Sequence, residues 1–276
     1  MSRIESETRA EAVVDALGLL YHGELDADDF MLFPESDDGT YAIRTRAESI
    51  AFWEEYGGRD AFPCLVRTIL SQNTSDVASQ PAFDALLERY GDDGLAATLA
   101  EADRDELADA IRSAGLYNQK SRVIVAAARE VIAAFGGDDA FDAFVREGDP
   151  ETVRDRLLEF DGVGPKTADC VLLFSGGRDG VFPVDTHVHR IARRMGLAPP
   201  DADHEAVRER LETDVSGEKC GFGHTATIQF GRDYCKARKP ACLDGLDACP
   251  LADLCDRVGV SPETGEVRDP AEVDAD

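Results

Sequence analysis

Lysine is scarce in this chain: it occurs five times in 276 residues, whereas arginine occurs 24 times. Basic residues as a whole are outnumbered, with 29 lysines and arginines against 56 aspartates and glutamates and a formal net charge of −27. Self-repulsion at such a charge destabilises a compact state in dilute buffer, and concentrated salt screens it over a few ångströms. We therefore interpret the charge as a response to the solvent and not as a property of a ligand site.

The acidic residues are spread through nearly every segment. This dispersion, together with the shortage of lysine, resembles the proteins of salt-accumulating halophiles, such as halophilic archaea; a protein that repels nucleic acid is the alternative. Long apolar runs are also missing, since none approaches the roughly 18 to 20 residues of a membrane span. The N-terminus, MSRIESETRAEAVV, has acidic residues where a signal peptide has an apolar segment. The sequence predicts a cytoplasmic protein without a membrane partner.

Apolar residues recur at helical spacing along most of the chain, and short connections predict a compact helical bundle. Predicted helices cover residues 62–72, 76–90, 103–113, 119–135 and 150–159. Glycines at 91, 115 and 136 follow three of them, where a C-cap belongs. Alternation of Phe30/Leu32 and Tyr41/Ile43 around Asp-Asp-Gly predicts a β-hairpin, and the polar, acidic segment from 261 to 276 is predicted to be disordered.

The stretch EFDGVGPKTADCVLLFSGG, residues 159–177, combines two glycines with one of the rare lysines. Gly162 and Gly164 permit a tight turn with positive φ and a close backbone approach to another molecule, and Pro165 suits the first turn of a helix. The pattern predicts helix, glycine hairpin and helix, whose exposed N–H groups can bind a phosphate. A plain helix-helix connection is the alternative for this turn alone.

Downstream, VFPVDTHVHRIARRMG places Asp185 nineteen positions after Lys166. G-V-G-P-K-T-A followed by V-D-T-H-V-x-R resembles the endonuclease III family of helix-hairpin-helix base-excision DNA glycosylases, and GLYNQKS (115–121) and CKARKPAC (235–242) also match that family. The resemblance covers about residues 60–255. It implies that Lys166 is the nucleophile and Asp185 its essential carboxylate. Lysine can attack C1′ and form a Schiff base, whereas arginine does not lose its proton, which explains why a lysine is kept here.

A glycosylase must extrude its target base from the duplex, and the resemblance assigns residues to the gap that is left. ILSQNTSD (69–76) resembles the family segment that inserts an amide side chain, so the inserted residue is Gln72 or Asn73, with Asn73 at the aligned position. Leu116 corresponds to the family's wedge leucine; an ordinary core leucine is the alternative.

Charged and imidazole side chains follow Asp185 closely. His187 could orient hydrogen bonds near the site, although a structural histidine is an equal alternative, and His189 and His224 are expected to be structural. Three arginines in the same segment are candidates for phosphate contacts or for solvated helix-face charges: Arg190, Arg193 and Arg194.

Four of the seven cysteines lie within residues 235–255, a crowding that indicates metal or cluster binding; they are Cys235, Cys242, Cys249 and Cys255. The family pattern implies a [4Fe-4S] cluster, but six residues separate the middle pair where the family has two. Four-thiolate zinc and unligated cysteines are the alternatives. Between the first two cysteines, Lys236, Arg238 and Lys239 form a positive island, which in the family touches DNA phosphate. Cys64 and Cys170 are predicted to be core residues.

The sequence thus predicts an all-α, two-lobed helix-hairpin-helix DNA glycosylase fold. Residues 1–53 form an N-terminal extension and a helix on the cluster lobe, 54–182 the helical lobe, 183–255 the cluster lobe and 256–276 an acidic tail. The resemblance implies a monomeric bifunctional glycosylase and AP lyase of base excision repair that acts on double-stranded DNA with an oxidised pyrimidine or an abasic site. The alternatives are a mismatch, uracil or oxidised-purine glycosylase and a non-catalytic helix-hairpin-helix DNA-binding protein.

Overall fold

The structure is a computed structural model that describes residues 2–22, 31–33, 41–45, 59–74 and 76–273. Those residues are mainly helical, and the helices are numbered in chain order. They are α1 Arg9–His22, α2 Ala61–Ser71, α3 Asp76–Tyr90, α4 Leu95–Ala100, α5 Arg104–Ala110, α6 Tyr117–Phe135, α7 Asp138–Glu147, α8 Pro150–Leu158, α9 Pro165–Phe174, α10 Thr186–Met195, α11 His204–Asp214 and α12 Gly217–Asp233. The prediction of an all-α fold is confirmed.

Contacts divide the chain into two compact units, one of residues 55–178 and one of residues 1–54 together with 179–276. The first unit contains α2 to α9, and α2 packs on α3, α7 and α9. All five predicted helices are present there, with ends shifted by a few residues at most. Helices α4 and α7 are missing from the sequence-based prediction. At six residues α4 has fewer than two turns, too few apolar positions to establish a period, whereas the buried Phe141 and Val145 of α7 do stand at helical spacing and could have indicated that helix.

Burial within α6 follows the predicted helical period. Ile124, Ala127 and Val131 are buried, and the half-buried Phe135 ring lies 5.1 Å from that of Phe141. The glycine after this helix, Gly136, has a φ of 83°, in the left-handed region that a C-cap requires.

In the second unit, α1 and α10 pack on α12. The predicted hairpin is confirmed: β2 (Met31–Phe33) pairs antiparallel with β3 (Tyr41–Thr45), and Leu32 faces Ile43. A strand that the sequence did not predict, β1 (Ser2–Ser6), pairs with the other edge of β3. The Asp-Asp-Gly turn and Phe30 lie outside the described residues.

The prediction of a disordered C-terminal segment is wrong for residues up to 273. Two short strands, β4 (Val260–Ser261) and β5 (Glu266–Val267), pair antiparallel. Beyond them, the Asp269 carboxylate accepts hydrogen bonds from the Arg193 guanidinium at 3.0 and 3.1 Å. The acidic composition suggested a solvated tail, but one of its carboxylates is the counter-ion of a buried arginine, and this holds the segment in place.

None of the helices in the described ranges is both long enough and apolar enough to cross a bilayer.

Candidate functional site

The predicted helix, hairpin and helix are formed by α8, residues 159–164 and α9. Phe160 and Val163 are buried and anchor the turn, and the N–H of Val163 donates to the carbonyl of Phe160 at 3.0 Å. Gly162 has the predicted positive φ, at 76°. The same prediction is wrong for Gly164, whose φ of −102° is open to any residue. A Cβ at Gly164 would meet no atom of the described residues within 4 Å, and the close approach of another molecule to this glycine stays a prediction.

Lys166 stands in the first turn of α9. Gly164 is the N-cap and Pro165 the first helical residue, and the first N–H groups of a helix have no intrahelical acceptor. The Lys166 side chain is half-exposed and has no hydrogen bond or ion pair with the described residues of its own unit. Its amine is therefore free to meet a ligand.

Two buried cysteines lie behind this lysine, as the sequence predicted. Cys64 and Cys170 are 4% and 2% exposed. Burial raises the pKa of the Cys64 thiol to about 12, Cys170 adds to the rise, and the charge of Lys166 opposes it. The Cys64 thiol is therefore not a nucleophile near neutral pH.

Asp185 lies in the other unit, at the N-cap of α10. Its Oδ1 accepts hydrogen bonds from the backbone N–H groups of His187 at 2.8 Å and Val188 at 2.9 Å. Its second oxygen, Oδ2, has no hydrogen bond with the described residues of that unit. The carboxylate is thus fixed by the helix start while one oxygen stays available.

The histidines after Asp185 make mainly structural contacts. Burial lowers the pKa of His187, and its Nδ1 lies 3.2 Å from Arg190 Nη2. A nitrogen of His189 is 2.8 Å from the carbonyl of Ala202, and the buried His224 is 2.7 Å from that of Pro183. His189 and His224 are therefore structural, as expected.

The two amides of the segment after α2 have different surroundings. Gln72 Nε2 donates to the carbonyl of Gly162 and to Thr167 Oγ1, both at 3.1 Å. This contact ties the segment to the glycine hairpin. Asn73 is exposed and has a φ of 52°, and its side chain projects from the segment.

Leu116 precedes α6 in a similar backbone conformation, with a φ of 48°. Its side chain is 56% exposed, so the alternative of an ordinary core leucine is wrong. Thr74 Oγ1 donates to the carbonyl of Ala114 and thereby joins the Leu116 segment to the segment of Asn73. No role for Lys120 was predicted from the sequence, yet the structure places its ammonium between these same two segments.

Two arginines of α10, Arg193 and Arg194, are neither solvated helix-face charges nor free phosphate partners, so both interpretations are wrong for them. They are 7% and 4% exposed. Arg194 donates to the carbonyls of Lys236 and Ala237 at 2.8 and 2.6 Å. Arg190 donates to the carbonyl of Cys235 at 2.9 Å. Carbonyl groups of the cysteine loop, not phosphates, are the acceptors of Arg190 and Arg194.

The four clustered cysteines line one cavity, whose other walls are mainly apolar. Those walls include Met195, Phe230, Pro240 and Leu251. The six residues between the middle cysteines form two short 3₁₀ turns that meet at Gly245, so the longer loop still brings Cys242 and Cys249 to the same cavity.

The chemistry of this cavity fits a cationic group bound by thiolates. Burial raises the pKa of Cys249 to about 11 and that of Cys255 to about 12, and backbone hydrogen bonds from Leu251 and Arg257 oppose the rise. Thiolates here therefore need a bound cation to neutralise them, and the irons of a cluster would supply that charge. In the described part of the chain no three potential ligands converge on a single ion, and a four-iron cluster does not require this, since each thiolate binds its own iron.

The predicted positive island is exposed. Lys236, Arg238 and Lys239 all face solvent. Among the described residues, Lys239 alone of the three has an ion-pair partner, in a surface contact of 3.5 Å with Asp244. Arg194 donates hydrogen bonds to the backbone of this loop. The main chain that carries the three cations is therefore fixed in place.

Comparison with known proteins places these elements in one family. Residues 66–216 match the model of the HhH-GPD superfamily of base excision DNA repair proteins, and residues 235–255 match the iron-sulfur binding domain of endonuclease III. Endonuclease III of Sulfolobus acidocaldarius is 37% identical over 197 residues, which cover 71% of this chain and 82% of the relative. That of Thermotoga maritima is 34% identical over 200 residues, 71% and 83% of the two chains.

Solved structures agree with the sequence relatives. A trapped endonuclease III–DNA covalent intermediate is 30% identical, with a TM-score of 0.61 over 74% of this chain and 87% of that one. A thermostable thymine-DNA glycosylase reaches a TM-score of 0.65 over 90% and 96% at 21% identity, which shows the fold alone.

The fold and the matched regions define a helix-hairpin-helix DNA glycosylase of base excision repair, which binds DNA. Within that class, this chain belongs to the endonuclease III family. It has the AP lyase activity typical of the family and carries a [4Fe-4S] cluster.

Proposed function

We propose that this chain, as a monomer on double-stranded DNA, removes oxidised pyrimidines and cuts 3′ to the resulting abasic site through Lys166. The Lys166 amine attacks C1′, the C1′–N bond to the base breaks, and the base leaves with a proton. Ring opening gives a Schiff base between C1′ and Nζ. Loss of a C2′ proton then expels the 3′ phosphate, and water releases the lysine.

The observation that carries this proposal is the free amine of Lys166 behind the glycine hairpin. It has no counter-ion among the residues of its unit that the structure describes, and the amide-rich start of α9 offers a phosphate site beside it. Asp185, with one oxygen fixed by the start of α10 and one available, would stabilise the positive charge that develops on the sugar or accept a proton.

The two projecting residues support a role in base extrusion. Asn73 and Leu116 are both exposed on tight loops of one unit, as a plug for the gap and a wedge between bases would have to be. Gln72 would support the plug from the hairpin. Lys236, Arg238 and Lys239 would contact phosphate, and the four cavity cysteines would bind the cluster that holds their loop.

Borohydride trapping on an abasic duplex tests the nucleophile. Wild type is expected to form a covalent complex and Lys166→Gln none, because glutamine cannot form a Schiff base. Arg104→Gln is the matched control, since it removes one exposed cation from α5. No adduct with wild type, or an undiminished adduct with Lys166→Gln, would refute the assignment.

A second candidate, a mismatch, uracil or oxidised-purine glycosylase, is favoured by the Gln72-Asn73 pair, because the amide that replaces the extruded base meets the opposite base. A panel of duplexes with different lesions, assayed in concentrated potassium chloride, separates the two. Preferred cleavage at oxidised pyrimidines that lie opposite guanine supports the first function. Preferred removal of mismatched thymine, uracil or oxidised purine supports the second candidate.

The adaptation to concentrated salt that the charge predicts bears on how DNA would be held. Affinity falls with salt by a slope of roughly −0.9 per neutralised phosphate, so contacts by backbone amides, base extrusion and stacking should carry more of the affinity here. A salt titration of binding is expected to give a slope equivalent to fewer than about six phosphates. A steeper slope would contradict this part of the proposal.

A further inference from the structure

Lys120 is a buried lysine whose three hydrogen bonds all reach the stems of two loops. It lies in the first turn of α6 and is 3% exposed. Its ammonium donates to the carbonyl of Leu70 at 2.7 Å, to Thr74 Oγ1 at 2.8 Å and to the carbonyl of Ala114 at 2.9 Å. An ammonium has three donors, and all three are used.

The stems that Lys120 joins carry the two exposed side chains described above. Asn73 lies between Leu70 and Thr74, and Leu116 follows Ala114 by two residues. Both have left-handed backbone, with φ of 52° and 48°, a conformation shared by only one other non-glycine residue in the described ranges. Such strained residues persist only where the surroundings fix them, and they cluster at functional sites.

Fixing these loops with a buried lysine is energetically expensive. Burial lowers the pKa of Lys120 to about 8, and the described residues provide it with no carboxylate partner. Its acceptors are two carbonyls and a hydroxyl. In a chain with five lysines, a cation placed at this point at such a cost requires an explanation.

We propose that Lys120 is a positioning residue that sets the spacing between Asn73 and Leu116, so that both enter the duplex together at the displaced nucleotide. The inference rests on the proposed function, because it assumes that these two side chains replace and wedge bases. Lys120 itself would touch no DNA. Lys120 would affect the reaction by positioning the two loops. The effect would therefore appear only on substrates in which a base stack must be opened.

Cleavage of an abasic site in a duplex and in a single strand of the same sequence separates positioning from stability. We expect Lys120→Met to lower the efficiency on duplex about ten- to a hundredfold, the cost of a small misplacement, and to leave the single-strand reaction unchanged. Lys219→Met is the matched control, because Lys219 is a partly buried lysine of the other unit, paired with Glu11 and Asp15. Its duplex-to-single-strand ratio should equal that of wild type.

A double-mutant cycle gives a second readout. If Lys120 acts by placing Leu116, then Lys120→Met should have little further effect on duplex cleavage in a Leu116→Ala background, whereas independent effects would add. Thr74→Val, which removes one acceptor, should shift the duplex ratio in the same direction and serves if Lys120→Met does not fold.

The outcomes distinguish the two levels of the proposal. Equal losses on duplex and single strand, or additive effects in the cycle, would overturn the positioning role. Failure of wild type to cut either abasic substrate would instead overturn the proposed function.

Discussion

Replacing the two hairpin glycines one at a time should separate folding from DNA binding. At Gly162 a Cβ would lie 2.8 and 2.9 Å from the two methyl carbons of Val123 on α6, at a φ of 76°. Positive φ costs a non-glycine residue about 1–2 kcal/mol, and overpacking adds about 1–3 kcal/mol. Alanine also lowers the conformational entropy of the unfolded chain, which offsets about 0.4–1 kcal/mol of this loss in stability. Gly162→Ala should therefore lower the free energy of unfolding by about 3 kcal/mol.

Gly164→Ala is the contrasting change in the same turn. Its backbone is ordinary and its Cβ would enter open space. The gain of about 0.4–1 kcal/mol from a stiffer unfolded chain is opposed by alanine being a poorer N-cap than glycine, so the free energy of unfolding should stay within about 0.5 kcal/mol of wild type. The same Cβ would stand where a phosphate approaches the start of α9, and we expect at least about tenfold weaker binding to an abasic duplex, equivalent to about 1.4 kcal/mol.

Denaturant unfolding and fluorescence anisotropy with labelled duplex measure the two effects in the same salt. Wild-type stability in Gly162→Ala would show that the contact with Val123 relaxes at no cost. Wild-type DNA affinity in Gly164→Ala, with its fold intact, would show that phosphate does not approach this turn.

Three further predictions concern single side chains. Asp185→Asn should keep the cap of α10, since asparagine caps about as well as aspartate, yet it should lose most glycosylase activity. Asp185→Ala should lose activity and also unfold at a lower denaturant concentration. An active Asp185→Asn would refute the role of the charge. Arg194→Met removes two hydrogen bonds to the carbonyls of Lys236 and Ala237 and should lower the free energy of unfolding by about 2 kcal/mol. The cluster's visible absorbance should then be lost at a lower denaturant concentration, and an unchanged midpoint would contradict this. Burial lowers the pKa of Lys120 from 10.5 to about 8. At a pH between these two values, Lys120 is protonated in the unfolded chain and neutral in the folded chain. Wild-type stability should therefore rise with pH there relative to Lys120→Met, and parallel curves would be the contrary result.

Local spacing was sufficient to identify the elements that carry the chemistry. The helix periods, the hairpin between α8 and α9 and the cluster of cysteines each depend on residues within one or two helical turns of each other, so they can be read in order along the chain. The confirmed burial of Ile124 and Val131 is of this kind.

Hydrogen-bond partners from distant segments decided the rest. Arg193 looks solvated in the sequence but meets Asp269, 76 positions later, and this contact also orders the acidic tail. Gln72 and Asn73 are both candidates for the inserted amide in the sequence. The structure distinguishes them, because Gln72 donates a hydrogen bond to the carbonyl of Gly162, 90 positions later. Lys120 reaches back 50 positions to Leu70.

The residue types that could perform the reaction and bind the cluster can be recognised along the chain, because those requirements are chemical and local. Which polar side chains are buried as supports, and which project toward a ligand, emerged only from the three-dimensional arrangement. Whether a charge stays in water depends on acceptors supplied by segments far away in the chain, and folding alone brings them together.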